Sequence, residues 1–211
     1  LVVCCALGCA IQERNAPIGA AFLEDVDTTK TADNVPFAHA AVWNAPQTDS
    51  YKTILIRPVR VDLLPEDAWK ASHSTAIGSR EEYLTEAVAI GEYLRTELIK
   101  RLKSFDPPRF AIVDQAGTGT LVVEIALTEL EFSRPVARAA ALAVPLPGVD
   151  VAFSAASDPH TAFAMRITDC ANGKLLATAA DRKFPPARIV DFNKLTATSS
   201  VREICGYWAE E

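Results

Sequence analysis

Ser72-His73-Ser74 places an imidazole between two hydroxyls, the raw material of a hydrolase. A working triad needs a nucleophile held by a base that a third group orients. No G-x-S-x-G elbow is present to display such a serine, so a solvated loop is the expectation there. Asp158-Pro159-His160 offers a carboxylate and an imidazole, but it falls in an expected loop with no second ligand nearby. Asp169 stands at a turn, where a carboxylate ordinarily accepts turn amides. Gly117-x-Gly119 is too short to cradle a phosphate and precedes a strand rather than a helix, which argues against a dinucleotide site. His39, His73 and His160 are scattered, without C-x-x-C or H-x-x-x-H spacing. We therefore expect no catalytic residue, no metal site and no cofactor.

The cysteines carry more information. Cys4, Cys5 and Cys9 lie in Leu1 to Ile11 (LVVCCALGCAI), a run without charge. That is too short to span a bilayer, which takes about 20 residues. It has the length of the apolar core of an export signal, about 7–15 residues. The basic stretch that normally precedes such a core is not in the sequence, so further residues are expected upstream. Ala6-Leu7-Gly8-Cys9 resembles a bacterial lipobox. In proteins with that motif the cysteine becomes the first mature residue and carries acyl chains, each buried CH₂ contributing about 0.8 kcal/mol of membrane affinity. Ala10 rather than Asp follows Cys9, which favours outer-membrane delivery. The alternative is a buried N-terminal strand. Cys170 and Cys205 are the two cysteines of the mature chain. In an oxidising compartment they could form one disulfide; otherwise they are two buried thiols acting as small hydrophobes.

Composition narrows the rest. Of 211 residues, 49% are apolar and 23% charged, which excludes intrinsic disorder. Nine Gly and 13 Pro exclude collagen-like and low-complexity chains. A net charge of −6 argues against nucleic acid as a partner. Residues 1–9 read as the remnant of a lipoprotein signal sequence. Residues 10–50 read as a tether partly docked on the domain, with Phe22-Leu23, Val35-Pro36-Phe37 and Trp43-Asn44-Ala45-Pro46 as apolar docking points. Residues 51–211 form the domain.

The elements follow from spacing. Thr53 to Val59 is a branched apolar run that Pro58 ends, as expected for a strand covered on both faces. Residues 62–79 read as loop with one short turn. Residues 80–103 form a helix with Leu84, Ala87, Val88, Gly91, Leu94, Leu98 and Leu102 on one stripe. Ser79 and Glu82 supply its capping box, and Pro107-Pro108 close the segment. Residues 109–114 are a short strand and 120–132 a long one, with Leu121, Val123, Ile125 and Leu127 on one face. Leu130 and Phe132 then have the wrong parity. Either a bulge near Thr128-Glu129 restores them to the core, or the strand leaves the sheet. Residues 161–168 and 175–181 form a hairpin around Asn172-Gly173; Glu124 of the long strand and Arg166, both on non-core sheet faces, can pair across strands. Ser200 and Glu203 are a second capping box, with Val201, Ile204, Cys205 and Trp208 as the core face of a last helix. Strand–helix–strand favours a parallel crossover. The expected fold is α/β, a mixed four- to five-stranded sheet with two helices packed on one face.

Three segments together point to a family. They are Tyr51-Lys52-Thr53-Ile54-Leu55-Ile56-Arg57-Pro58-Val59, then Phe110-Ala111-Ile112-Val113-Asp114 with Gly119-Thr120-Leu121, and Ile167-Thr168-Asp169 with Asn172-Gly173-Lys174-Leu175-Leu176. With the lipobox-like start and Tyr207-Trp208-Ala209, they resemble the bacterial lipoproteins grouped as domain of unknown function 3313. The resemblance implies a fold and an address only, since that family supplies no catalytic residue to carry over.

The expected role is that of a lipid-anchored, non-enzymatic protein of the bacterial envelope, facing the periplasm from the outer membrane. Its partners are then the membrane, through Cys9, and another envelope protein. The apolar stretch Ala139 to Val151 is either a partner surface or packing over its own sheet. The alternative function is a small-molecule or lipid-binding auxiliary of a membrane transport complex, with a pocket beneath residues 133–159.

Overall fold

A computed structural model describes residues 22–23, 37–42, 50–71, 78–132, 160–184 and 198–210. The elements are β1 (His39–Val42), β2 (Thr53–Ile56), α1 (Ala68–Ala71), α2 (Arg80–Lys103), β3 (Ala111–Ile112), β4 (Thr120–Glu131), β5 (His160–Asp169), β6 (Leu175–Lys183) and α3 (Ser199–Glu210). The strands form one mixed sheet in the order β1-β6-β5-β4-β2-β3. β2 runs parallel to both β4 and β3, as the strand–helix–strand order predicted. β4, β5, β6 and β1 are antiparallel neighbours.

The α/β expectation holds, with three corrections. Among the described residues the sheet has six strands, not four to five. The additional edge strand, β1, lies inside the stretch read as tether, where two alanines and no alternation gave no strand signal. A third, single-turn helix, α1, falls where one short turn was expected. The strand expected over 109–114 shrinks to two paired residues at the other edge.

The long helix begins where its cap predicts. The Glu82 amide donates to Ser79 Oγ at 3.1 Å, while the Glu82 carboxylate reaches back to the Gly78 amide at 2.7 Å. Its buried face is Tyr83, Ala87, Ile90, Gly91 and Leu94. The expected stripe is therefore rotated, and Val88 is 51% exposed. Tyr83 sets the rotation: its hydroxyl donates to the Leu130 carbonyl at 2.9 Å and its ring meets Phe132 edge-on at 5.7 Å. Gly91 backs onto Val59, whose Cβ would lie 3.1 Å from an added methyl.

In β4 the register shifts between Leu127 and Glu129, so Thr128 is the extra residue. Leu130 and Phe132 return to the core, as a bulge predicts. Ile54, Ile56, Val123, Ile125, Leu127 and Phe163 pack with α2 and α3 on one face. On the other face Ala126, Ala164 and Ala180 pack against Phe22 and Leu23. Their small side chains let that apolar island lie close to the sheet. α3 starts one residue before the expected cap. Ser200 is its second residue and its hydroxyl lacks a partner, so it does not cap the helix. The face of Val201, Ile204, Cys205 and Trp208 is buried as expected. No helix among the described residues is long and apolar enough to cross a membrane.

Candidate functional site

An apolar cavity of about 270 Å³ lies between the sheet and the C-terminal turns of α2 and α3. Its floor is β2, β4 and β5, presenting Ile54, Val123, Ile125, Met165 and Ile167. Leu98 and Leu102 of α2 form one wall, and Trp208 closes one end against Phe163 at 4.7 Å. The Trp208 indole N–H donates to buried Asp181 at 2.8 Å, which fixes the ring. Asp181 also accepts from the Ala38 amide at 3.2 Å, so the same carboxylate holds the chain entering β1. Among the described residues, Arg101 and Glu210 are the charged ones of the lining. Protein interiors have few voids larger than a water. Closed and empty, a space of this size would forfeit roughly 6 kcal/mol of packing at about 24 cal/mol per Å³. Met165 and Ile167 are half-buried on a central strand, so the helices leave this part of the sheet partly uncovered.

A polar cleft occupies the opposite face. Arg166 and Glu124 are cross-strand partners in register and meet at 2.9 Å, as the sequence predicted. Arg57 approaches the same carboxylate at 3.6 Å. The Arg166 guanidinium also lies 4.6 Å over the Phe22 ring, so one cation orders both the carboxylate and the docked apolar island. Asp169 does what a turn carboxylate should: it accepts from the Ala171 amide at 2.7 Å. It also accepts from the Tyr51 hydroxyl at 3.0 Å. Burial, that hydrogen bond and the Asp169 charge all raise the Tyr51 pKa.

A second ionic cluster sits further along this face. Glu129, Ala162 and Arg182 form one cross-strand row, and Arg182 grips Glu129 with both Nε, at 2.6 Å, and Nη2. His160 bridges Glu129 at 3.4 Å and Glu131 at 3.5 Å, and its ring lies 5.5 Å from Phe184. Burial alone would raise the Glu129 pKa. Hydrogen bonds from His160 and Arg182, with their charges, outweigh it and hold the carboxyl at about 2.

Of the residues singled out by sequence, His160 is the first residue of β5 rather than part of a loop. The structure ties it to carboxylates that the sequence analysis did not associate with it. Cys170 and Cys205 are free thiols, so the bridge considered for them is not formed. Cys170 lines the polar cleft, whereas Cys205 is buried in the core on the helix side. Burial pushes the Cys205 thiol up to about 12, against a lowering by Arg202. Such a thiol behaves as a small hydrophobe. Gly119, at φ +76°, turns the chain into β4, where its carbonyl accepts from Lys52 at 3.2 Å. Cys9, Ser72-His73-Ser74, Asp158 and the stretch Ala139 to Val151 lie outside the described residues. No group of three metal-ligating side chains occurs among the described residues. Sequence reasoning missed the apolar cavity. Its one signal was the run of Leu94, Leu98 and Leu102 continuing beyond the part of α2 that is fully buried.

The described residues thus define a mixed α/β fold in which helices cover one sheet face and charged pairs with a docked apolar island dress the other. The chain belongs to the family described as "Protein of unknown function (DUF3313)", which matches residues 22–211. No curated protein matches it. Three solved structures are similar in part. The PelC dodecamer from Paraburkholderia phytofirmans shares 11% identity, covering 79% of this chain and 94% of its own, with a TM-score of 0.37. Protein XCC0632 from Xanthomonas campestris, of family DUF330, shares 8%, covering 80% and 87%, with a TM-score of 0.41. Lipoprotein GNA1162 from Neisseria meningitidis shares 13%, covering 75% and 97%, with a TM-score of 0.26. At such scores none of them carries a function across.

Proposed function

We propose that this is a non-enzymatic bacterial envelope protein, held to the periplasmic side of the outer membrane by acyl chains on Cys9. The observation that carries the reading is Ala6-Leu7-Gly8-Cys9 at the end of an uncharged apolar run. The residues between Cys9 and Phe22 then space the domain from the bilayer, since Phe22 and Leu23 pack on the sheet and His39–Val42 form its edge strand, and the domain offers itself to another envelope protein. The charged groups of the far face support a structural role over a catalytic one. Glu124 pairs with Arg166 and Glu129 with Arg182 across strands, which orders the sheet and leaves these pairs committed. The test is palmitate labelling in a bacterial host expressing the complete gene. The wild-type protein takes up label and sediments with membranes, and Cys9→Ser loses both. Unchanged membrane retention of the Cys9→Ser protein contradicts the anchor.

A second reading has its own support. The apolar cavity favours a small-molecule or lipid-binding auxiliary of a membrane transport complex, since ligand sites are concave, mostly apolar and carry few polar groups. The cavity lies beneath α2 and α3; residues 133–159, beneath which the sequence had suggested a pocket, lie outside the described residues. Retention of a hydrophobic ligand by the purified domain supports this reading, and Met165→Trp, which fills the cavity, should abolish it.

A further inference from the structure

We propose that the cavity beneath α2 and α3 binds a single-chain carboxylate amphiphile, its hydrocarbon against Leu98, Val123, Ile125 and Met165 and its head at the Arg101 guanidinium. This rests on the second reading above, that the domain binds a small apolar ligand, and adds to it the ligand's class and orientation.

The cavity has room for one chain. The cavity of about 270 Å³ is nearly twice the ~150 Å³ apolar cavity that accommodates benzene. With a methylene taking about the space of a liquid water, roughly 30 Å³, about nine carbons fit. The second chain of a two-chain lipid would have to lie outside the cavity's open edge. The wall chemistry fits hydrocarbon: β2, β4 and β5 present branched or thioether side chains, and α2 presents leucines. Met165 on central β5 adds a deformable thioether that adjusts to a flexible chain.

Charge gives the head. Arg101 is in the last turn of α2 with Lys100 and Lys103. Lys100 is paired with Glu97 at 3.2 Å. The Arg101 guanidinium lies 5.3 Å over the ring of Phe105, and no carboxylate among the described residues forms an ion pair with it. Phe105 is 48% exposed, so this stacked pair stands at the cavity's open edge. A guanidinium held over a ring keeps its N–H fork available to a carboxylate, which it can grip through two bonds. Glu210 also lines the edge. It repels an anionic head, but one carboxylate faces a helix turn bearing Arg101 and Lys103 as well as the paired Lys100. The cation at the edge and the hydrocarbon walls together match a soap-like molecule better than a neutral one.

The test is calorimetric titration of the 211-residue chain in detergent-free buffer, with decanoate, decanol and decylamine as probes. Decanoate should bind one per chain and more tightly than either analogue. Arg101→Ala should weaken decanoate about tenfold, a loss of about 1.4 kcal/mol, and leave decanol unchanged. Leu98→Trp should abolish binding of all three, and Met165→Trp serves the same purpose should Leu98→Trp fail to fold. Decanol binding as tightly as decanoate, with Arg101→Ala changing neither, overturns the assigned head and leaves the ligand-binding reading intact. Preference for decylamine overturns the charge assignment in the same way. Failure of all three probes to bind overturns the ligand-binding reading itself.

Discussion

Replacing Glu129 with glutamine should destabilise the protein at neutral pH and leave it nearly unaffected in acid. Arg182 is 9% exposed at its side chain and Glu129 26%, so the pair is largely out of water. A carboxyl held at about 2, against an ordinary 4.5, contributes about 3 kcal/mol to folding when ionised. The sign follows from the lowered pKa. The contribution is complete above pH 4.5, the unfolded value, and is lost as pH falls through about 2. Removing the charge also strands the Arg182 guanidinium in a poorly solvated place, which is why breaking one side of such a pair is costly. Urea denaturation of wild type and Glu129→Gln at a series of pH values measures the difference. It should be about 3 kcal/mol at pH 7 and under ~1 kcal/mol near pH 2. Arg182→Met should be comparably destabilised at pH 7, and the double variant should recover much of the loss, because both buried charges are then gone. A gap that stays constant from pH 7 to 2, or a Glu129→Gln protein as stable as wild type at pH 7, refutes the reasoning.

Other consequences are local. Trp208→Phe keeps the ring contact with Phe163 but removes the donor to Asp181, and should cost about 1.5–3 kcal/mol in chemical denaturation, the range for a hydrogen bond to a charged group. Gly173 turns the β5–β6 hairpin at φ +69°. Gly173→Ala should cost about 1–2 kcal/mol, the penalty of the left-handed region for a residue with a Cβ, read as a lowered Tm. Site-resolved mass spectrometry after brief alkylation of the native protein should find Cys170 modified and Cys205 unmodified, since Cys205 is fully buried and its thiolate is disfavoured.

What the sequence revealed was mostly local. Ser79 and Glu82 announce the start of α2 because a cap is chemistry between neighbours. Asn172-Gly173 announces the hairpin for the same reason, and the parity break after Leu127 requires an extra residue wherever the strand stays in the sheet. Apart from Ser200, which lies inside α3 and does not cap it, the errors are long-range. Val88 fits the helical stripe as well as Ile90 does, and only the bond from Tyr83 to Leu130 across 47 residues decides which faces inward. β1 is defined by pairing with β6, with Ala40 opposite Ala179, and two alanines carry no strand signal on their own. The Glu124–Arg166 pair was visible because strand parity puts both residues on the face away from the core, and the β4–β5 register then sets them opposite one another. Joining His160 to Glu129 and Glu131 needed the β4–β5 register beyond the bulge. The cavity is furthest from the sequence, since it is the space left between residues of β2, β4, β5, α2 and α3.

The anchor on Cys9 is the claim on which the cellular role depends. Intact-mass and N-terminal peptide analysis of the protein purified from membranes of a bacterium expressing the complete gene tests it directly. The account predicts a mature chain that begins at Cys9 and carries the added mass of acyl chains on that residue. A chain that retains residues before Cys9, or begins there with an unmodified thiol and amine, contradicts it.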